Sequence, residues 1–294
     1  MSISRQNLTV VIVTFKSDAV IHECIKSIDS EIKIIIIENS NDHHFKEKLE
    51  NNYKNVKCVL SEQNLGMGAG NNIGIRLSKT DYVLILNPDV ILEKKTIDEL
   101  IKASQEVSSF SILAPILLNS NYPNYKFDSN KENNINFNSL FKVKSVDGFA
   151  MLFNKKRLDK IIQKNYFDEN FFMYLENDDL CKRIKDIDEN IFIVPTSKIK
   201  HLGGKAVDTK YQNEIEFSRN WHWIWSKFYF NKKHFGYSRA FIKGFPKFFS
   251  SFIKFFFYLL IQNQIKRKIY LNRALGFLNA ASNKPSSYRP NIDI

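Results

Sequence analysis

Tyr82-Val83-Leu84-Ile85-Leu86-Asn87-Pro88-Asp89 decides how the rest of the chain is read. Five apolar residues form a strand buried on both faces, and the run stops at a proline-stiffened turn that carries a carboxylate. In an open α/β sheet, ligands bind beyond the carboxyl ends of the strands. Asp89 therefore stands where a divalent cation and phosphate oxygens can be held. A plain Asn-Pro-Asp turn is the competing reading of the same residues.

Upstream, β-branched or apolar runs at Leu8 to Phe15, Lys33 to Ile37 and Val56 to Leu60 predict strands. Helical spacing predicts helices at Asp18 to Ile28, Phe45 to Asn51 and Ala69 to Leu77. Downstream, a helix is expected at Thr96 to Val107 and a short strand at Ile112 to Ala114. The alternation implies an α/β fold with a mostly parallel sheet and helices on both faces. Residues 119–142, rich in Asn, Tyr and Phe, predict a long surface loop. Val143 to Phe153 is expected to be a strand, Lys155 to Gln163 a helix, Glu176 to Ile187 an acidic-led helix, Ile191 to Val194 a strand, and Tyr211 to Phe230 an aromatic helix.

Beyond Gly236 the character changes. Phe245 to Leu260 is dense in phenylalanine, with Lys243, Lys247, Ser250 and Lys254 on one helical stripe and Lys266, Arg267, Lys268 and Arg273 following. The stretch is barely long enough to span a bilayer and carries two lysines, so a helix lying in the plane of a membrane surface is expected; a buried packing helix is the alternative. A catalytic domain over 1–230 and a helical, basic, aromatic extension over 231–294 follow from this change. With 294 residues, 44% of them hydrophobic, the chain can fill one large core plus an appendage. The net charge of +12 suits phosphates, nucleic acid or an anionic membrane. The positive charge concentrates in the aromatic C-terminal third and no nucleic-acid module is present, so nucleic acid is not expected as a partner. Cys24, Cys58 and Cys181 are odd in number and lack a Cys-x-x-Cys pair, which argues against disulfides and structural zinc. No signal peptide is visible, and a cytoplasmic location is expected, peripheral at the inner face of the cytoplasmic membrane.

Four further clusters carry chemistry-bearing residues. Asn64-Leu65-Gly66-Met67-Gly68-Ala69-Gly70-Asn71-Asn72-Ile73-Gly74 offers glycines ahead of a helix N-terminus, where phosphate is favoured. It follows the third strand and lacks the last glycine of a dinucleotide fingerprint, and close helix–strand packing explains the glycines equally well. Glu38-Asn39-Ser40 ends the isoleucine strand, where a carboxylate can accept hydrogen bonds from a nucleobase or ribose. Phe167-Asp168-Glu169 through Met173-Tyr174-Leu175-Glu176-Asn177-Asp178-Asp179 gathers carboxylates suited to a general base, although Asp179 with Arg183 is also an ordinary i,i+4 pair. His201-Leu202-Gly203-Gly204 sets a histidine, a candidate metal ligand, after a strand.

The order of these motifs, from Val10-Val11-Ile12-Val13-Thr14-Phe15 through Val146-Asp147-Gly148-Phe149-Ala150-Met151 to His201, resembles family 2 of the inverting glycosyltransferases, nearest its rhamnosyltransferase-like branch, over about residues 7–230. The resemblance implies a GT-A fold, a Mg²⁺ or Mn²⁺ cofactor, a nucleoside diphosphate sugar donor (dTDP-L-rhamnose by the branch likeness) and a lipid-linked or polysaccharide acceptor. Asp89 matches the second acid of the metal-binding Asp-x-Asp motif, with Asn87 in place of the first, and His201 matches the late metal ligand. Thr14, Phe15 and Glu38 match the base pocket; Asn64, Gly66 and Asn72 match positions along the nucleotide and diphosphate. Asp147 and Gly148 match the sugar and acceptor side. The usual base position holds Asn177, an amide that takes no proton at neutral pH. Glu176 is then the expected base, with Asp178 as the alternative and Asp179 beside them. Arg219, His222 and Lys227 on the aromatic helix are expected to add positive charge over the diphosphate. A non-catalytic sugar-nucleotide-binding scaffold and a nucleotidyltransferase are the competing functions; the latter lacks a glycine-rich basic loop at Lys16-Ser17-Asp18.

Overall fold

The computed structural model describes residues 3–107, 109–118, 122–127 and 136–292. The chain divides into two compact units, residues 1–168 with 177–208, and residues 169–176 with 209–294. The expected division at 230 falls inside a helix that belongs wholly to the second unit.

In the first unit the strands β1 (Leu8–Thr14), β2 (Lys33–Glu38), β3 (Val56–Leu60) and β4 (Tyr82–Leu86) lie in the order β3-β2-β1-β4, all parallel. Helices α1 (Asp18–Ser27), α2 (His43–Asn52) and α3 (Met67–Leu77) connect them. Successive residues of a strand point to opposite faces, and the cores divide accordingly. Val10, Ile12, Ile34, Ile36, Leu84 and Leu86 join Ile21 and Cys24 of α1 and Leu49 of α2. Val11, Val13, Ile35, Ile37, Val83 and Ile85 join Ile75 of α3. Gly74 lets α3 approach β1: a Cβ there would meet Val11 Cγ1 at 2.3 Å, and one on Gly70 would meet both Val13 methyls at 2.9 Å. These glycines serve helix–strand packing. All three cysteines are free and buried.

The other half of the sheet is mixed rather than parallel. It contains β5 (Val90–Leu92), β6 (Ile112–Leu117), β10 (Ala150–Asn154) and β11 (Ile191–His201), in the order β4-β10-β6-β11-β5. Strand β10 runs antiparallel to both β4 and β6, and β5 antiparallel to β11. The expected strand at Val143 to Phe153 is broken: β9 (Ser145–Val146) ends at a turn over Asp147–Phe149 before β10 begins. Part of the expected long loop is ordered pairing. Tyr125–Lys126 (β7) pairs with β9, and Phe141–Lys142 (β8) pairs with β11. Residues 119–121 and 128–135 of that expectation lie outside the described residues. Helices α4 (Thr96–Glu106), α5 (Lys155–Ile161) and α6 (Glu176–Asp186) complete the layers, with Asn177 onward in this unit.

The second unit holds α7 (Gln212–Phe235), α8 (Tyr237–Leu260) and α9 (Gln264–Ala281) around Trp221, Ile224, Trp225, Phe228, Ala240, Phe277 and Ala280. The segment 169–176 packs into it. Phe171 meets Tyr229 edge-on, Phe172 stacks on His222 at 4.5 Å, and Ser226 Oγ donates to Met173 O at 2.8 Å.

Candidate active site

The sheet register delivers the predicted residues to one edge of the first unit. Thr14 of β1 lies opposite Glu38 of β2, and Ile12 lies opposite Leu86, three residues before Asp89. From the other side, β11 returns His201 opposite Val90. The Leu202 amide donates to Asp89 O at 3.0 Å, fixing the crossing. Asp89 Oδ1 and His201 Nε2 stand 3.3 Å apart across 112 positions of sequence. They are not aligned as a hydrogen bond, and Oδ1 is buried without a hydrogen-bond partner. The Phe149 ring stacks on His201 at 4.3 Å and holds the imidazole in place. An orphaned, buried carboxylate oxygen beside an imidazole nitrogen is a donor pair that fits a divalent cation. No cluster of three or more such ligands gathers among the described residues, so a cation held here would take further ligands from water and substrate oxygens.

Next to this pair lies the turn that carries Asp147 and Gly148. The Asp147 amide donates to Asn124 O at 2.9 Å. Asn177 Nδ2 donates to Val146 O at 2.8 Å, and a Cβ on Gly148 would lie 3.2 Å from Asn177 Cβ. The amide in the usual base position thus buttresses the turn. Both Asp178 oxygens accept from Lys126 Nζ, at 2.8 and 2.9 Å. Asp179 is fully buried and accepts from Arg183 Nε at 2.9 Å; Arg183 also donates to Asn165 O and Tyr166 O. Asp179 is therefore built into the helix–loop staple expected of an i,i+4 pair, out of reach of a dissolved acceptor.

Several residues expected along the nucleotide are engaged locally. The Glu38 carboxylate accepts from Ser40 N at 3.0 Å, from Ser40 Oγ and from Asp42 N at 2.9 Å, so it shapes its own loop. Asn72 clamps Phe167, donating to its carbonyl at 2.8 Å and accepting from its amide at 3.0 Å. Asn64 Oδ1 accepts from Gly66 N at 3.1 Å, and Gly66 O accepts from Asn39 Nδ2 at 3.1 Å. Thr14 is buried at the end of β1, with its carbonyl accepting from Asn39 N at 2.8 Å. Phe15 is half-buried, and its amide donates to Ser17 Oγ at 3.1 Å. Asn87 donates its amide to Phe149 O at 2.9 Å.

In the second unit the expected cationic trio is reduced. His222 is buried, its ring nitrogens hydrogen-bonded to Tyr288 O and Ser286 Oγ at 2.9 Å each. Burial pushes its pKa down to about 3, so it is neutral. Lys227 Nζ lies 3.9 Å above the Trp223 ring, and Arg219 remains half-exposed. Tyr174 and Leu175, immediately before Glu176, hold left-handed backbone at φ 71° and 67°, a strained entry to α6. Burial raises the Tyr174 hydroxyl to about 12. Sequence reasoning missed Phe149, Lys126 and Asn124. The first sat unassigned inside a quoted motif, and the other two lay in a stretch without periodicity.

Comparison with a solved structure bears on the fold. A structure of GalNAc-T7 with UDP, GalNAc and Mn²⁺ matches with a TM-score of 0.54 at 16% identity, over 73% of this chain and 50% of that one. The chain thus spans half the length of that protein, and the likeness shows a GT-A fold. The sequence model of glycosyl transferase family 2 matches residues 9–183, more than half of the chain, and the chain belongs to that family. It is also similar to the low-salt glycan biosynthesis hexosyltransferase Agl10 of Haloferax volcanii, 26% identical over 228 residues covering 71% of each chain. The rhamnosyltransferase WbbL of Escherichia coli is 24% identical over 219 residues, 66% of this chain and 80% of that one.

Proposed function

We propose that the protein is an inverting, cation-dependent hexosyltransferase that passes a sugar from a nucleoside diphosphate donor to a lipid-linked or polysaccharide acceptor. The observation that carries this reading is the convergence of Asp89 and His201, with a carboxylate oxygen buried and unsatisfied at 3.3 Å from the imidazole. Those two side chains would hold Mg²⁺ or Mn²⁺, which when bound supplies positive charge for the departing diphosphate. The chain's own contributions are separable. Phe149 fixes the imidazole ring, the β11–β5 pairing sets the spacing of the two donors, and the Asp147–Gly148 turn borders the place where a sugar and acceptor would meet. Attack by the acceptor oxygen opposite the leaving diphosphate inverts the anomeric carbon in one displacement. Relatives that transfer hexose and rhamnose make dTDP-L-rhamnose and UDP-hexoses the first donors to test.

A thermal-shift screen of these donors with and without Mn²⁺, followed by measurement of released nucleoside diphosphate, tests the reading. One donor should raise the melting point by several degrees only with Mn²⁺ and be turned over. A matched shift without turnover would instead favour the non-catalytic scaffold.

The second unit supports an anionic membrane surface as partner. No described helix is long and apolar enough to cross a membrane. Helix α8 buries Ala240 and Ser251 and packs Gly244 against Phe277, leaving Phe241, Phe245, Phe249, Phe252 and Phe256 exposed beside Lys243, Lys247 and Lys254. Each such ring gains on the order of 1 kcal/mol on entering a lipid boundary, and the lysines add attraction to anionic headgroups. The full chain should sediment with vesicles containing phosphatidylglycerol and much less with phosphatidylcholine alone, and Phe249→Ser with Phe252→Ser should weaken this at least about tenfold. Equal recovery without vesicles, as a dimer, would point to a second copy as the occupant.

A further inference from the structure

The family's usual base position is filled by an amide, yet the turn that this amide braces carries a carboxylate of its own, Asp147. Asn177 touches both neighbours of Asp147, donating to Val146 O at 2.8 Å and packing within 3.2 Å of where a Gly148 Cβ would be. The Asp147 peptide is thereby held on both sides, and its own amide is tied to Asn124 O. Asp147 is half-buried, and its carboxylate has no side-chain hydrogen bond among the described residues. The two carboxylates that follow Asn177 are committed. Asp178 is bridged by Lys126 through both oxygens, and Asp179 is buried on Arg183.

Resting on the glycosyltransferase reading, we propose that Asp147 is the general base, standing in for the carboxylate that Asn177 lacks. The acceptor O–H proton passes to an Asp147 oxygen as the acceptor oxygen bonds to the anomeric carbon. The anomeric C–O bond breaks with its electron pair leaving on the nucleoside diphosphate, and the proton is later lost to water. The environment suits this use. Burial raises the Asp147 pKa, which Lys126 and His201 lower again and Asp178 raises, so the group is a stronger base than an exposed aspartate.

The test uses the full chain, with Mn²⁺ and whichever of dTDP-L-rhamnose or UDP-glucose it turns over, and reads nucleoside diphosphate release. Asp147→Asn should lower kcat about 100-fold or more while donor KM and the donor-induced thermal shift stay unchanged. Adding Asn177→Asp to that variant returns a carboxylate to the adjoining position and should recover at least about tenfold of the loss. Wild-type kcat should increase as pH rises through the Asp147 pKa, and this acid limb should be absent from Asp147→Asn. Near-normal kcat in Asp147→Asn, or a comparable loss confined to Glu176→Gln, would overturn the assignment and return the role to Glu176. Loss of donor binding in Asp147→Asn would show a substrate-positioning group and likewise overturn it. An absence of turnover in the wild type with an intact donor shift would strike the transfer reading itself, and this assignment with it.

Discussion

Asp89→Ala should abolish turnover, by about a thousandfold or more, while leaving the apo protein as stable as the parent or slightly more so. The two effects have one cause. Asp89 Oδ1 is buried with no hydrogen-bond partner, and a buried polar oxygen left unsatisfied opposes folding. On the function proposed above, a bound cation would supply the missing partner. Removing the carboxylate would relieve that cost in the protein alone and, on the proposed function, remove a cation ligand. Calorimetry should therefore show an unchanged or raised apo melting point and the disappearance of the Mn²⁺-dependent shift with donor. A variant that keeps both the shift and near-normal turnover would sink the cation assignment, whatever its stability.

Gly276→Ala should destabilise the second unit by about 3 kcal/mol. A Cβ on Gly276 would lie 2.5 Å from Trp221 O, and the obstacle is helix backbone rather than a side-chain tip that can swing away. Relief requires α9 to move off α7, which opens the core built on Trp221, Trp225, Phe228 and Phe277. The chain's three tryptophans, Trp221, Trp223 and Trp225, all lie in α7, so fluorescence excited selectively at tryptophan reports this unit. Denaturant titrations followed by fluorescence should shift to lower midpoint, and an unchanged midpoint would contradict the close packing.

Much of the first unit was legible because its strands are continuous apolar runs. Val10 to Val13 and the four isoleucines Ile34 to Ile37 are buried on both faces, and this burial is written directly in composition. The Asp89 and His201 assignments rested on motif order, and the sheet brings the two together. What was not legible depends on partners distant in sequence. Strand β5 has three residues and exists because β11 continues past Val194 to meet it. Lys126 gained meaning only through Asp178, 52 positions away. The local polar residues carry a second role that sequence does not show. Glu38 and Asn72, expected along the nucleotide, also satisfy the backbone amides and carbonyls around them. His222 looked cationic because sequence does not show how completely a helix face is covered.

The segment 169–176 ties the two units in chain order: the polypeptide enters the helical unit, returns to the sheet for α6 and β11, and leaves again. The helices that cover Phe171 and Phe172 are thus made last, more than thirty residues after the rings they shield. During synthesis those rings wait in water, and a product that stopped after Asp208 would keep them bare. Trimming the helical unit would therefore uncover two rings that belong to an earlier stretch of the chain.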